Sequence, residues 1–334
     1  MRETRFGVFL STSFSWEETV RLAQESEGLG YDTVYVSDHL VLGSTPQEAA
    51  IPRLEPTTVM AGLAAITEKI RFGQLVLCNS FRNPALLAKI GATLDVISSG
   101  RFELGIGAGW HRKEYEAYGY PFPEHDVRLE QLSEGVEIVK RMWTERSPTF
   151  DGKYFKIKEA YCEPKPIQKP RPRITIGGSG DKILKLVAMQ ADQCNFGGNT
   201  LDWYEDRLKL LKKHCDKVGR RFEDIEKSYL SLVSMVYPNE HDLVDGLRKV
   251  YASEKREEKF KEWMEDSSQG AIGYKFTVRG RIAFAGTTHQ VIERIAAYEK
   301  LGVSCFMLRF GDMPSNDKMT QLFAKEVMPV IKRG

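Results

Sequence analysis

Short apolar runs alternate with longer amphipathic ones along almost the whole chain, and that alternation limits the possible folds more than any other feature. Residues 5–10, 33–36, 70–77 and 101–106 read as strands, and 173–176, 191–196, roughly 228–236 and 303–309 supply four more. The spans between them carry helical spacing. Residues 16–29 form one such span, with Val20, Leu22 and Ala23 on its buried side; 56–66 and 84–97 form others. A longer helix follows in which Leu129, Leu132, Val136, Val139 and Trp143 fall on one face, and further helices start near Asp181, Leu201, His241 and Thr288. Strands of a parallel sheet are covered on both faces by their connecting helices, so they read as continuous apolar runs. Eight strands alternating with helices predict one α/β domain over residues 1–334, a closed (β/α)8 TIM-like barrel without exposed edges. A doubly wound open sheet is the alternative.

Two stretches interrupt the rhythm. Residues 144–172 contain Asp151-Gly152-Lys153-Tyr154-Phe155 and the spaced Pro164, Pro166, Pro170 and Pro172, which suggests a small hairpin excursion and an extended return. Residues 239–286 are charged and irregular, with Lys255-Arg256-Glu257-Glu258-Lys259 as a solvated helix. Long barrel loops gather at the active-site end, so this second stretch reads either as a lid or as ordinary surface.

Composition removes several classes of function. Lys and Arg total 48 against 46 Asp and Glu, a formal net charge of +2, which leaves no concentrated basic surface for broad nucleic-acid binding. No apolar run approaches the roughly 18 residues of a membrane span, and residues 6–10 are too short an apolar stretch for a signal-peptide core. The five cysteines are scattered, odd in number and without a C-x-x-C pair; the six histidines show no H-x-H or H-E-x-x-H spacing. Neither a disulfide framework nor a metal site is expected, and a cytoplasmic location is.

The chemistry-bearing residues gather where strands end. Ser37-Asp38-His39 follows the second strand, and in a barrel such positions point into the active-site mouth. A histidine there offers a proton acceptor near neutral pH, and Asp38 a carboxylate to hold position; helix capping by Asp38 beside a half-exposed His39 is the structural alternative. Gly105-Ile106-Gly107-Ala108-Gly109-Trp110 follows the fourth strand and suits either close approach to a flat ring or a tight turn. It is not a G-x-G-x-x-G fingerprint, because the third glycine comes one residue early. Ile176-Gly177-Gly178-Ser179-Gly180-Asp181 joins the fifth strand to a helix, a ready anion site with Ser179 as an extra donor, or a plain β-to-α turn. Trp110 is placed to stack on a substrate or to fill the mouth, Cys78 reads as a buried thiol, and Thr287 or Thr288 as a helix cap.

Taken in order, these pieces resemble the bacterial luciferase-like monooxygenase superfamily, in particular its branch of deazaflavin (coenzyme F420)-dependent oxidoreductases. The matching segments are Phe6-Gly7-Val8-Phe9, Tyr35-Val36-Ser37-Asp38-His39, Arg82-Asn83-Pro84-Ala85-Leu86-Leu87-Ala88-Lys89 and, most specific, the run of residues 98–110. Tyr118-Gly119-Tyr120-Pro121-Phe122, residues 174–180 and the stretch from Ala285-Gly286-Thr287 to Leu301-Gly302-Val303 complete the pattern. The resemblance implies a homodimer whose cofactor ring rests on a bulge at the end of the third strand, often with a non-proline cis peptide; Leu75–Val76 is the matching place. It implies Asp38 and His39 facing ring and substrate, with His39 exchanging the substrate proton. Cys78, Gly107, Ala108 and Gly109 belong with the cofactor site, and Gly177, Gly178, Ser179 and Gly180 with its phosphate. Sugar-phosphate dehydrogenases of the group carry a catalytic glutamate where this chain has Trp110, which points to a less polar substrate. The implied activity is hydride transfer between coenzyme F420 and a small organic substrate. FMN-dependent monooxygenation and cofactor binding without turnover are the alternatives.

Overall fold

The computed structural model describes residues 3–43, 45–197, 200–267, 277–278, 281–282 and 284–333. Eight parallel strands form its centre: β1 (Arg5–Leu10), β2 (Thr33–Val36), β3 (Arg71–Gln74, resuming as Leu77–Cys78), β4 (Phe102–Gly107), β5 (Ile174–Gly177), β6 (Gln193–Gly197), β7 (Glu226–Tyr237) and β8 (Val303–Phe310). Each pairs with its neighbour in sequence, and β8 returns to β1 with Phe306 opposite Phe6, so the sheet closes and the open-sheet alternative is excluded. Outside run α1 (Trp16–Gly28), α2 (Pro56–Ile66), α3 (Pro84–Ile97), α4 (Arg112–Ala117), α5 (His125–Thr144), α6 (Asp181–Gln190), α7 (Leu201–Val218), α8 (Glu240–Ser253), α9 (Glu257–Ser267) and α10 (Thr288–Lys300).

Local chemistry sets these boundaries. Ser15 and Glu18 form a capping box on α1, as do Thr287 and Gln290 on α10, satisfying amide donors that a helix start leaves orphaned. Gly219, at φ +67°, ends α7 in the left-handed conformation that glycine adopts without penalty. Within α1, Leu22 and Ala23 are buried as expected while Val20 is half-buried; all five apolar residues predicted for one face of α5 are buried.

Two departures from the sequence reading concern strands. The apolar run 70–77 is not continuous: β3 stops at Gln74 and resumes at Leu77, and the peptide between Leu75 and Val76 is cis, at the place the resemblance implied. Phe284–Thr287, read only as a helix start, is also a strand, lying parallel to Ser234–Tyr237 of β7. The hairpin in 144–172 is present, pairing Phe150 with Ile157. In 239–286, α8 packs on Met235 and Phe260 through Leu243, Leu247 and Tyr251, while Glu257, Glu258 and Lys259 face solvent. The lid reading covers the whole of 239–286, of which residues 268–276, 279–280 and 283 lie outside the described residues; the described part is mainly α8 and α9.

The barrel interior is layered, and each layer follows from strand alternation. On β1, Phe6, Val8 and Leu10 turn outward into the main core, leaving Arg5, Gly7 and Phe9 inside. At the amino-terminal ends Arg5 donates to Glu103 at 3.0 Å and to Glu226 at 2.9 Å, Arg71 donates to Glu103 at 2.7 Å, and Arg173 pairs with Glu226. Above them lie Phe9, Tyr35, Leu75, Cys305 and Met307. A Cβ on Gly7 would sit 2.5 Å from the Tyr35 ring, so glycine there makes room for Tyr35 to donate its hydroxyl to Glu103 at 3.1 Å. This packed floor closes the barrel from below and leaves its carboxyl-terminal mouth for a ligand.

Candidate active site

A cavity of about 350 Å³ opens at that mouth, within the range of roughly 300–1,000 Å³ common for small-molecule sites. Its floor is the β3 break. Val76 is half-buried and Leu75 almost wholly buried, so the interruption presents an apolar surface upward. A Cβ on Gly107 would come within 2.7 Å of Val76, and one on Gly177 within 3.0 Å, so glycines on β4 and β5 let Val76 lie between two strands.

Asp38 is held from behind the cavity. Its carboxylate accepts two bonds from the Arg82 guanidinium, at 2.8 and 3.0 Å, and one from the Cys78 amide at 2.6 Å. Arg82 also donates to Glu55 at 2.5 Å. Burial pushes the Asp38 carboxyl above its ordinary range, against the pull of Arg82 and the Cys78 N–H. Asp38 therefore ties the end of β2 to the strand segment just past the break. The next residues explain the rest of the motif: Asn83 accepts from the Ala85 and Leu86 amides to cap α3, with Pro84 in its first turn.

His39 takes the opposite side. Its Nδ1 lies 3.1 Å from Glu114 Oε2, while Glu114 Oε1 accepts from the Leu40 amide at 2.5 Å and the Val41 amide at 3.1 Å. The imidazole lines the cavity, edge-on to Trp110 with ring centroids 5.7 Å apart. Trp110 is 64% exposed at the rim, the large apolar side chain most open to solvent beside the cavity. Cys78 Sγ lies 2.9 Å from the Tyr115 hydroxyl, and burial pushes its thiol up to about 11, which keeps it neutral at pH 7.

Asp38, His39, Leu75, Val76 and Cys78 thus meet around one cavity, joined by Gly109, Trp110, Gly177, Gly178 and Ser179. Gly107, Ala108 and Gly180 do not line it. Gly107 packs against Val76, and the Ala108 carbonyl accepts from Tyr115 at 3.3 Å. Gly180 caps α6 from an exposed position. Gly109 has a packing reason of its own: at φ +75°, a Cβ there would collide with the Tyr115 hydroxyl. Sequence reasoning missed Glu114, Tyr115 and Asn195, which also line the cavity. Glu114 sits in a charged six-residue helix whose sequence resembles solvated surface, and no spacing marks it.

The Gly177–Gly180 turn opens α6 without a side-chain cap, leaving first-turn amides available to an anion. Within the turn the Gly178 amide is committed, donating to the Asn195 carbonyl at 3.0 Å. Among the described residues no cluster of His, Cys, Asp and Glu is placed to hold a metal, and no helix is long and apolar enough to cross a membrane.

A parallel barrel with an apolar strand break, an uncapped helix start and a histidine paired with a buried acid at one mouth makes a site able to hold a flat ligand with an anionic tail beside a proton-exchanging group. The chain belongs to the luciferase-like monooxygenase family, whose pattern it matches over residues 4–305. It is 29% identical to an F420-dependent glucose-6-phosphate dehydrogenase of Microbacterium testaceum (strain StLB037), covering 98% of both chains. It is 24% identical to the FMNH(2)-dependent dimethylsulfone monooxygenase of Pseudomonas putida, over 96% of this chain and 89% of the relative. Its fold matches that of the coenzyme F420 dependent tetrahydromethanopterin reductase from Methanopyrus kandleri with a TM-score of 0.77 at 21% identity, covering 99% of this chain and 100% of the other.

Proposed function

We propose that this chain is a coenzyme F420-dependent oxidoreductase acting on a small, weakly polar alcohol or carbonyl compound. The observation that carries this reading is the His39–Glu114 pair beside the Leu75–Val76 floor, because hydride exchange with an alcohol requires a proton acceptor next to the ring. The residues fit such a group: a flat apolar floor for the ring, and α6 amides for its phosphate. When bound, the deazaflavin supplies or takes up the hydride. The chain's own part is to seat the ring on Leu75, Val76 and the backbone near Cys78 and Gly109, and to anchor the phosphate at the Gly177–Gly180 turn, with Ser179 and the first-turn amides of α6 as donors. Trp110 covers the substrate, and His39 exchanges its hydroxyl proton. Asp38 keeps the floor in register through Arg82 and Cys78.

FMN-dependent monooxygenation is the second reading, favoured by the dimethylsulfone monooxygenase relative. Titrating the purified protein with coenzyme F420 and with FMN, followed by fluorescence, separates the two. Tight binding of F420 with no oxygen uptake in the presence of reduced FMN supports the proposal; the reverse pattern replaces it with the second reading. The chain is proposed to work as a homodimer, since Leu86, Val96 and Ile97 leave apolar surface exposed along α3; light scattering on the eluted protein tests that.

The phosphate assignment has a test of its own. Gly178 lies at φ +133°, and a Cβ there would press on Ile183 at 2.8 Å, so a side chain at that position would deform the loop itself. Gly180 is extended, at φ −71°, with nothing within 4 Å of its Cβ position. Gly180→Asp should weaken cofactor binding at least about tenfold, because the new carboxylate takes the same amides and repels the phosphate. Thermal stability should hold or rise slightly, since aspartate is a favoured cap. Unchanged affinity for both cofactors would remove this turn from the site.

A further inference from the structure

The two oxygens of Glu114 do different things, and the difference reaches the far side of the His39 ring. Oε1 accepts from two backbone donors, the Leu40 and Val41 amides, which have no choice but to donate. Oε2 faces His39 Nδ1 at 3.1 Å. Glu114 is only 2% exposed, so water does not stand in for either bond. A carboxylate has no hydrogen to offer, and Nδ1 must therefore carry the proton. Among the described residues Nε2 has no hydrogen-bond partner, and the ring lines the cavity.

We infer that Glu114 is a positioning residue that sets the tautomer of His39, so that the unprotonated Nε2 is presented to the cavity as the proton acceptor. The assignment rests on the reading of His39 given above, but it concerns the protein without cofactor or substrate. Its element matters as well. Glu114 and Tyr115 are adjacent on α4; the first holds His39, and the second bonds Cys78 Sγ just beyond the β3 break. One short helix thereby fixes the proton acceptor relative to the floor on which the ring is proposed to lie.

Glu114→Gln, which puts an amide in place of the carboxylate, is the decisive variant. Its single carbonyl oxygen is required by the Leu40 and Val41 amides, which leaves its NH2 group facing His39. The ring must then accept at Nδ1 and carry its proton on Nε2. Two-bond 1H–15N spectra of 15N-histidine-labelled protein distinguish the forms, because Nε2 couples to both ring carbon-bound protons and the unprotonated nitrogen resonates far downfield. The His39 signals are identified by their loss in His39→Gln. The spectra are taken on the cofactor-free protein at a pH where His39 is neutral. The wild type is expected to show Nε2 unprotonated, and Glu114→Gln to show the roles exchanged, with the other five histidines unmoved. A wild-type ring protonated at Nε2, or a folded Glu114→Gln that keeps the wild-type pattern, overturns the assignment. Should Glu114→Gln fail to fold, the wild-type spectrum still decides. Failure of the F420 titration would leave this result untouched, so the two readings fall separately.

Discussion

Replacing His39 with alanine should slow hydride transfer by a factor on the order of 10²–10⁴, the usual contribution of a positioned proton acceptor. The imidazole lines the cavity, is held by a buried carboxylate, and leaves one nitrogen without a partner among the described residues. Its removal takes away the acceptor while leaving the α6 amides and the Leu75–Val76 floor in place, so cofactor affinity should change far less than rate. Asp38→Asn should act on both. An asparagine presents an NH2 group to Arg82 or to the Cys78 amide, loosening the clamp on the β3 break, and affinity should fall together with rate. The measurement is single-turnover absorbance of bound deazaflavin, across pH, with an alcohol that the wild type oxidises. A His39→Ala enzyme running at the parent rate with the parent pH profile would end the proton-transfer role without disturbing the fold or the cofactor reading.

The contrast between those two variants shows what a sequence of this kind discloses. Strand ends are legible because parallel strands are apolar throughout and stop abruptly at polar residues; Asp38, His39 and the Gly177–Gly180 turn all stand at such stops. What each residue does there is less legible. Asp38 and His39 are neighbours in the chain, yet one turns behind the floor to Arg82 and the other toward Glu114. Their partners lie 44 and 75 residues away, and no local pattern ties them. The break in β3 is equally silent, since Leu75 and Val76 look like two more strand residues. Only the family resemblance points to it. Glycines that read as ligand-approach positions prove to have packing reasons too: Gly107 against Val76, and Gly109 against Tyr115. Both roles are compatible, because a backbone kept close to a neighbour is also a backbone left open to a ring.

The floor of the barrel was the least visible part, and it carries the largest expected stability effect. Arg5, Arg71, Glu103 and Glu226 sit within or at the edge of apolar strands, where charge reads as a strand end rather than as an interior network. Glu103 is 1% exposed. Burial alone would push its carboxyl up, but Arg5, Arg71 and Arg173 more than reverse that and hold it at about 2, below the ordinary value of 4.5. A carboxylate whose folded value lies below its unfolded one stabilises the fold above the unfolded value, and that stability is lost as pH falls through the folded one. The window is thus about pH 4.5 down to 2. Glu103→Gln removes the charge and leaves the guanidinium groups facing one another, which should cost about 3–5 kcal/mol at neutral pH. Because a protonated Glu103 resembles glutamine, the gap between variant and wild type should shrink as pH drops across that window. Urea unfolding of both proteins at pH 7, 4.5 and 3 reads the gap directly. A difference that stays constant over that range would mean the loss comes from packing or hydrogen-bond geometry, and that charge on Glu103 is not what holds the barrel floor together.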